Sequence, residues 1–212
     1  MTYPLNALHL YDYYETIMYQ RKIITKLMEW KDSPYRKPLV LRGARQVGKT
    51  TLIDQFASFF DQYIYLNLEI DEDKVIFQNR NSIKEIVDAL FFIKDKQKND
   101  GSTLIFIDEI QELPEAIGSL RYFYEKFPHY HVIAAGSLLE AVFKANVQFP
   151  VGRVDYQELH PFSFEEFLQA CGENQVLEQY HHIPVAPFAH EKLMKFFHTY
   201  TLIGGMPEAL KR

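Results

Sequence analysis

The octapeptide from Gly43 to Thr50, Gly-Ala-Arg-Gln-Val-Gly-Lys-Thr, constrains this chain more than any other segment. It matches the pattern G-x-x-x-x-G-K-[ST] at every fixed position, and such a loop points successive backbone N–H groups at phosphate oxygens. An apolar strand is predicted before the loop, at residues 39–41, and a helix after it, at residues 50–60. The positive end of that helix also favours an anion. The context therefore predicts a nucleoside triphosphate site rather than a chance glycine turn.

Two side chains of this loop have specific predicted roles. Lys49 is expected to reach the β- and γ-phosphates, and the hydroxyl of Thr50 is expected to ligate Mg²⁺. The side chain of Arg45 contacts phosphate, contacts a partner or faces solvent, and the sequence leaves these alternatives open. The other members of the predicted nucleotide-binding set are Gly43, Ala44, Gln46, Val47, Gly48 and Thr51.

An acidic pair, Asp108 and Glu109, directly follows the apolar run at residues 104–107. In a site of this kind, Asp108 would hold Mg²⁺ through water, and Glu109 would polarise the attacking water. The alternative is a solvated pair at the end of a strand. Because a kinase for small molecules needs no activated water, the glutamate favours hydrolysis.

Two further polar residues are candidates for contact with the nucleotide. Ser137 follows the apolar segment 132–135 and would sense the γ-phosphate, although it can also cap the helix predicted at 137–144. Arg153 precedes the last predicted strand, at residues 154–159. It could act as an arginine finger in a neighbouring subunit, contact phosphate in its own chain, or form a surface salt bridge.

The order of predicted elements indicates an α/β fold. Strands and amphipathic helices alternate from residue 39 to residue 159, which is typical of a parallel sheet covered on both faces. One of these helices is predicted at residues 82–98. After Pro161 the pattern becomes helical, and Ser163 with Glu166 fits a capping box. We therefore expect a core domain at residues 1–160, which includes an N-terminal arm at residues 1–14, and a small helical lid at 161–212.

The length, net charge and apolar segments of the chain limit the classes of partner that it is expected to have. The chain has 212 residues and a formal net charge of -5, which does not indicate a nucleic-acid binder. We find no signal peptide and no apolar run near the roughly 20 residues of a membrane span. The sequence therefore predicts a cytoplasmic protein without a membrane partner.

Taken together, the motifs resemble a large prokaryotic family of AAA-type ATPases. The segments that carry the resemblance are Leu41–Leu52, Ile107–Gln111, Ala135–Ser137, Gly152–Arg153, Leu159–Phe167 and Gly204–Glu208. The resemblance implies a P-loop NTPase of the AAA+/ASCE type, a three-layer sandwich with a central parallel five-stranded sheet and a small C-terminal helical lid. It also implies ATP with Mg²⁺ as the ligand. Binding and hydrolysis would rest on Lys49, Thr50, Asp108 and Glu109, with Ser137 as sensor and Arg153 near phosphate.

Members of that family usually continue beyond the Gly204–Glu208 motif. The resemblance therefore implies a truncated lid and a C-terminal effector domain that is absent from this chain. The expected function is hydrolysis of ATP to drive or gate an attached or partner domain, in a homo-oligomer if Arg153 acts across a subunit boundary. The alternative is a slow-turnover nucleotide switch that controls oligomerisation or DNA contact. A DNA-acting ATPase is a third hypothesis, which the acidic balance does not support.

Overall fold

The computed structural model describes residues 21–78, 80, 82–98, 101–137, 150 and 152–210. By its contacts the chain divides into a core unit, Ile23–Pro161, and a C-terminal unit whose described residues are 21, 22 and 162–210. Arg21 and Lys22 thus group with the C-terminal unit and not with the core, because the carboxylate of Glu166 accepts hydrogen bonds from both. The N-terminal arm predicted at residues 1–14 lies outside the described residues.

Five parallel strands form the sheet of the core unit. They are β1 (Leu39–Arg42), β2 (Gln62–Asn67), β3 (Thr103–Asp108), β4 (His131–Gly136) and β5 (Asp155–Glu158). Their spatial order is β2-β3-β4-β1-β5, and every neighbouring pair is parallel. The predicted five-stranded parallel sheet is therefore confirmed.

Helices connect these strands. The described α-helices of the core are α1 (Ile23–Asp32), α2 (Lys49–Phe56), α3 (Asp71–Lys74), α4 (Ile83–Ile93) and α5 (Pro114–Lys126). Short 3₁₀ turns follow α2 at Ala57–Phe59 and precede α5 at Ile110–Glu112. Most of the helix predicted at residues 137–144 lies outside the described residues.

Each strand sends alternate side chains to opposite faces of the sheet, because the side-chain period of a strand is two residues. Val40 packs in one hydrophobic cluster with residues of α4 and α5, whereas Leu39 and Leu41 pack in a second cluster with residues of α1 and α2. Strands β3 and β4 are buried along their whole length. The sheet is thus the middle layer of a three-layer α/β sandwich.

Helix α4 is shorter than the sequence predicts. The side chain of Ser82 caps its start by accepting a hydrogen bond from the N–H of Glu85. The pattern predicts continuation to residue 98, but Asp95 adopts a left-handed conformation with φ 50°. The N–H of Lys96 then donates to the carbonyl oxygen of Phe91 at 2.9 Å and closes the helix end. Aspartate is one of the few non-glycine residues that tolerate this geometry.

Three α-helices and a 3₁₀ turn make up most of the described C-terminal unit. They are α6 (Phe164–Ala170), α7 (Asn174–Tyr180), α8 (Pro187–Ile203) and the turn Pro207–Leu210. The capping box predicted from Ser163 and Glu166 is present. Among the described residues, no helix has both the length and the apolar character to cross a membrane. That this unit acts as a lid stays a prediction.

The glycine motif near the end of the chain has a packing role. The N–H of Phe162 donates to the carbonyl oxygen of Gly205 at 2.7 Å. A Cβ atom added to Gly205 would lie 2.3 Å from the carbonyl oxygen of Phe162. Only glycine therefore permits this close approach of two backbone segments within the C-terminal unit.

Candidate active site

The strand order brings the predicted site residues other than Arg153 to one edge of the sheet. Strand β4 lies between β1 and β3, and all three are parallel. Their carboxyl ends therefore meet at the same edge. The glycine loop follows β1, Ser137 follows β4, and the pair Asp108 and Glu109 stands at the end of β3.

The loop from Gly43 to Thr50 owes its shape to three residues with positive φ. Gly43, Gln46 and Gly48 have φ angles of 156°, 61° and 92°. A Cβ atom at Gly43 would lie 2.5 Å from the carbonyl oxygen of Leu159, so this position requires glycine. The left-handed Gln46 is not part of the sequence pattern, and no feature of the sequence predicts it.

The side chains of the loop divide into buried and exposed sets. Val47 is fully buried and anchors the loop to the hydrophobic cluster that contains Leu159. The side chains of Arg45 and Gln46 are exposed, and so are those of Ala44 and Thr51. The backbone of the loop, rather than these side chains, is the part that can surround a phosphate.

Lys49 lies inside the curve of the loop. Its Nζ atom donates to the carbonyl oxygens of Gly43 at 3.0 Å and Ala44 at 2.9 Å. The residue is only 6% exposed, and this burial lowers the pKa of its ammonium group. The negative charges of Glu109 and Asp108 oppose that shift. An anionic ligand would favour the charged form of Lys49 in the same way.

Thr50 and Asp108 join the loop to strand β3. The hydroxyl of Thr50 donates to Oδ2 of Asp108 at 2.6 Å, and the N–H of Glu109 donates to Oδ1 of Asp108 at 3.0 Å. Burial raises the pKa of the Asp108 carboxyl, and these two hydrogen bonds oppose the shift. Mg²⁺ prefers such oxygen ligands, so the adjacent hydroxyl and carboxylate fit the ion that the sequence predicts.

Glu109 adopts a left-handed conformation with φ 50° directly after β3. Its Oε2 atom accepts a hydrogen bond from Nε2 of Gln111 at 2.5 Å. The Ser137 hydroxyl lies 3.5 Å from the same oxygen. The structure therefore brings two of the predicted residues together and adds Gln111, which ends the segment Ile107–Gln111 but has no role assigned from the sequence. No sequence pattern predicts the contact of Gln111 with Glu109.

Arg153 lies elsewhere. It precedes the first residue of β5 by two positions, and β5 runs parallel to β1, so Arg153 lies at the amino edge of the sheet. There its Nε atom lies 3.2 Å from a carboxylate oxygen of Glu125, and its guanidinium lies 6.0 Å from the ring centre of Tyr124. Contact with phosphate bound in its own chain does not fit this position. A role across a subunit boundary stays a prediction.

Comparison with solved structures shows the same fold. The chain aligns with a Walker-type ATPase of Pyrococcus abyssi (TM-score 0.53, 17% identity, 91% of this chain and 65% of that one). It also aligns with a signal transduction ATPase with numerous domains from Pyrococcus horikoshii, which carries a tetratricopeptide repeat sensor (0.53, 17%, 92% and 29%). A third match is the Drosophila ORC bound to DNA (0.52, 18%, 88% and 58%).

The chain spans less than two thirds of each of these longer proteins. No curated protein matches it. A family profile described as an AAA domain matches residues 35–168, which is more than half of the chain and includes the loop, the acidic pair, Ser137 and Arg153. The fold, the order of the motifs and this match agree, and the chain belongs to the AAA domain family of P-loop ATPases.

Proposed function

We propose that this chain hydrolyses ATP with Mg²⁺. The observation that carries the proposal is the 2.6 Å hydrogen bond from Thr50 to Asp108. It places the hydroxyl of the glycine loop beside the carboxylate of β3, next to the buried ammonium of Lys49 and the carboxylate of Glu109. This arrangement supplies a cation for phosphate, oxygen ligands for a divalent ion and a base for water.

Each group has a role that follows from its position. The backbone N–H groups of the loop and Lys49 stabilise negative charge on the β- and γ-phosphates. Thr50 would hold Mg²⁺ directly and Asp108 would hold it through water, and the ion would supply further neutralisation of the phosphate oxygens. Glu109 orients the attacking water, and Ser137, near the same carboxylate oxygen, lies where the γ-phosphate can be sensed. Catalysis then consists of positioning and electrostatic stabilisation.

We further propose that hydrolysis drives or gates an attached or partner domain. The structural matches are longer than this chain, and the Pyrococcus horikoshii protein combines its ATPase with a repeat sensor. A nucleotide module that acts on another domain fits the same arrangement. The proposal includes a homo-oligomer in which Arg153 completes the site of a neighbouring chain.

The first experiment measures ATP binding and steady-state hydrolysis of Lys49→Ala and Glu109→Gln. Lys49→Ala should lose binding, since it removes the cation inside the loop. Glu109→Gln should bind ATP as the parent does but not turn it over. Exposed residues on α4 and α5 provide matched controls, Lys84→Ala and Glu115→Gln, which should behave as the parent. Hydrolysis by Glu109→Gln at the parent rate would remove Glu109 from the mechanism.

The second experiment follows turnover per chain over a wide range of protein concentration. A rise with concentration indicates a shared site, and mixing then tests it: Glu109→Gln chains, which keep Arg153, should restore turnover to Arg153→Ala chains. Flat turnover indicates a self-contained site and excludes the arginine finger. Binding without turnover at any concentration would favour the slow-turnover switch instead.

A further inference from the structure

Gln111 contacts the proposed catalytic carboxylate although no motif includes it in that role. It lies in the 3₁₀ turn Ile110–Glu112, directly after Glu109. Its Nε2 atom donates to Oε2 of Glu109 at 2.5 Å, the shortest contact described above for that carboxylate. An amide that donates to a carboxylate forms a charge-assisted hydrogen bond, which is stronger than one between neutral groups.

The backbone holds this pair in place. The N–H of Glu112 donates to the carbonyl oxygen of Glu109 at 3.0 Å and closes the 3₁₀ turn. Ile110, between the two partners, is fully buried in the cluster beneath the sheet. The left-handed backbone of Glu109 and the anchored turn therefore fix the position of Gln111 relative to the carboxylate.

The two oxygens of the Glu109 carboxylate have different surroundings. Oε2 lies within hydrogen-bonding range of both Gln111 and Ser137. Within the described part of the chain, no donor contacts the other oxygen, Oε1. A carboxylate held through one oxygen keeps the second oxygen available to accept a proton from water.

The second polar atom of Gln111 is also available. Its Oε1 atom is buried, and no hydrogen-bond partner is found for it among the described residues. The orientation of the amide follows from chemistry, because only its nitrogen can donate to the carboxylate. A buried acceptor without a donor is costly, and a water molecule that donates to it would remove that cost.

We propose that Gln111 is a positioning residue for the attacking water. Its N–H group holds one oxygen of Glu109 so that the other faces the water, and its carbonyl oxygen accepts a second hydrogen bond from that same water. The proposal rests on the proposed ATP hydrolysis. If Gln111 only filled space in the 3₁₀ turn, an apolar residue of similar size would replace it without kinetic effect.

The test compares Gln111→Leu, Gln111→Glu and the parent, with Gln175→Leu on the exposed side of α7 as the matched control. Gln111→Leu should lower turnover at saturating ATP about 10- to 100-fold, because small errors in position cost rate, with little change in KM. Affinity for ADP should stay as in the parent. Affinity for ADP with aluminium fluoride and Mg²⁺, which mimics the transferring phosphoryl group and its water, should fall.

Gln111→Glu keeps the size of the side chain but removes its donor. A carboxylate at this position accepts hydrogen bonds and cannot donate to Oε2 of Glu109. Turnover should therefore fall as in Gln111→Leu while affinity for ADP stays as in the parent, whereas a packing role would tolerate a side chain of the same size. Parent-like turnover in Gln111→Leu or in Gln111→Glu overturns the proposal.

The control experiments separate this proposal from the underlying function. If Gln111→Leu loses affinity for ADP as well as turnover, its effect is on the whole site and the positioning role is wrong. If the parent neither hydrolyses ATP nor binds ADP with aluminium fluoride, the proposed hydrolysis fails, and the role of Gln111 falls with it. Loss confined to turnover and to the transition-state mimic supports the proposal.

Discussion

The two edges of the central sheet both carry buried polar side chains, but they use them differently. At the carboxyl edge, Lys49 and Asp108 lie beside a loop of left-handed backbone. At the amino edge, His131 begins β4 and is only 7% exposed. Its ring lies 4.9 Å from that of Phe60 and 5.9 Å from that of Trp30. The first set can receive a charged ligand, whereas His131 is enclosed by aromatic rings.

A combination of buried groups, rather than a single polar atom, distinguishes the two edges. Among the described residues, buried polar atoms without a hydrogen-bond partner occur at both edges: Nδ1 of His131 and Nε of Arg36 at one, and Oε1 of Gln111 at the other. Such an atom alone therefore does not indicate function. The carboxyl edge differs because a buried cation, two carboxylates and left-handed backbone occur together there. At the amino edge, Nη2 of Arg36 donates to the carbonyl oxygens of Pro128 and His129 and stabilises the segment that connects α5 to β4.

Among the substitutions that distinguish the two edges, Gly43→Ala should have the largest effect on ATP affinity. The added Cβ atom would collide with the carbonyl oxygen of Leu159 and distort the loop, so ATP affinity should fall about 100-fold, measured by titration calorimetry. Gly118→Ala is the matched control, since nothing lies within 4 Å of its added Cβ atom on α5. It should leave affinity unchanged and stabilise the helix by up to about 1 kcal/mol. Equal affinities in both variants would refute the assigned role of the loop.

A smaller effect is expected from the hydroxyl of Thr50. Thr50→Ala removes the donor to Asp108 and the predicted ligand of Mg²⁺, so the Mg²⁺ concentration that half-saturates ATP binding should rise about 30-fold. Thr50→Ser keeps the hydroxyl and should stay close to the parent. Nucleotide binding in the absence of Mg²⁺ should be similar in all three proteins. A Thr50→Ser variant as weak as Thr50→Ala would mean that packing, not the hydroxyl, matters.

At the amino edge, the expected effect of His131 is on the stability of the fold and not on ATP binding. Burial lowers the pKa of His131 to about 4, with Arg36 and Lys31 adding to the effect. In the unfolded chain the pKa of His131 is about 6.5. Above that pH the imidazole is neutral in both states and does not reduce the free energy of unfolding. As the pH falls from about 6.5 towards 4, protonation favours the unfolded state and the free energy of unfolding declines. At pH 5.5 the free energy of unfolding should be lower by about 1 kcal/mol than at pH 7.5 from this residue alone.

The measurement is urea unfolding of the parent and of His131→Phe at both pH values. The phenylalanine variant should lose less stability between pH 7.5 and 5.5, because it has no imidazole to protonate. The difference between the two proteins in this loss of stability removes the contribution of His129, because both contain it. Burial lowers the pKa of His129 as well. An identical pH dependence in parent and variant would show that His131 is not neutralised by burial.

The smallest effect is expected from Arg153→Ala when chains are dilute. Since Arg153 lies at the amino edge, ATP affinity at low protein concentration should stay within about twofold of the parent. Filter binding of labelled ATP at dilute protein checks this. A tenfold loss would place Arg153 near its own loop and would break the distinction between the edges.

Much of this architecture could be predicted from the sequence. The glycine pattern located the loop, and the fully apolar segments 104–107 and 132–135 indicated strands buried on both faces. The position of Arg153 was also accessible, because a residue that precedes a parallel strand lies at the amino edge. The order of the strands was not accessible from these patterns, since strands that are neighbours in space need not be neighbours in sequence.

Three local features could not be predicted from sequence patterns. The left-handed conformations of Gln46 and Asp95 occur at non-glycine residues, where the sequence carries no marker. Gln111 meets Glu109 only because the intervening backbone turns back after β3. In each case the surrounding fold imposes the conformation, so local propensity could not reveal it.

The close approach of Gly43 to Leu159 determines which residues a fragment of the core must contain. The N–H of Leu159 donates to the carbonyl oxygen of Arg42 at 2.8 Å, and its own carbonyl oxygen lies where a side chain of Gly43 would be. The first strand and the last strand of the core thus support the loop jointly. A minimal recombinant fragment, a split-protein design or a protease-trimmed core must therefore keep the polypeptide through Leu159 if the loop is to retain its shape.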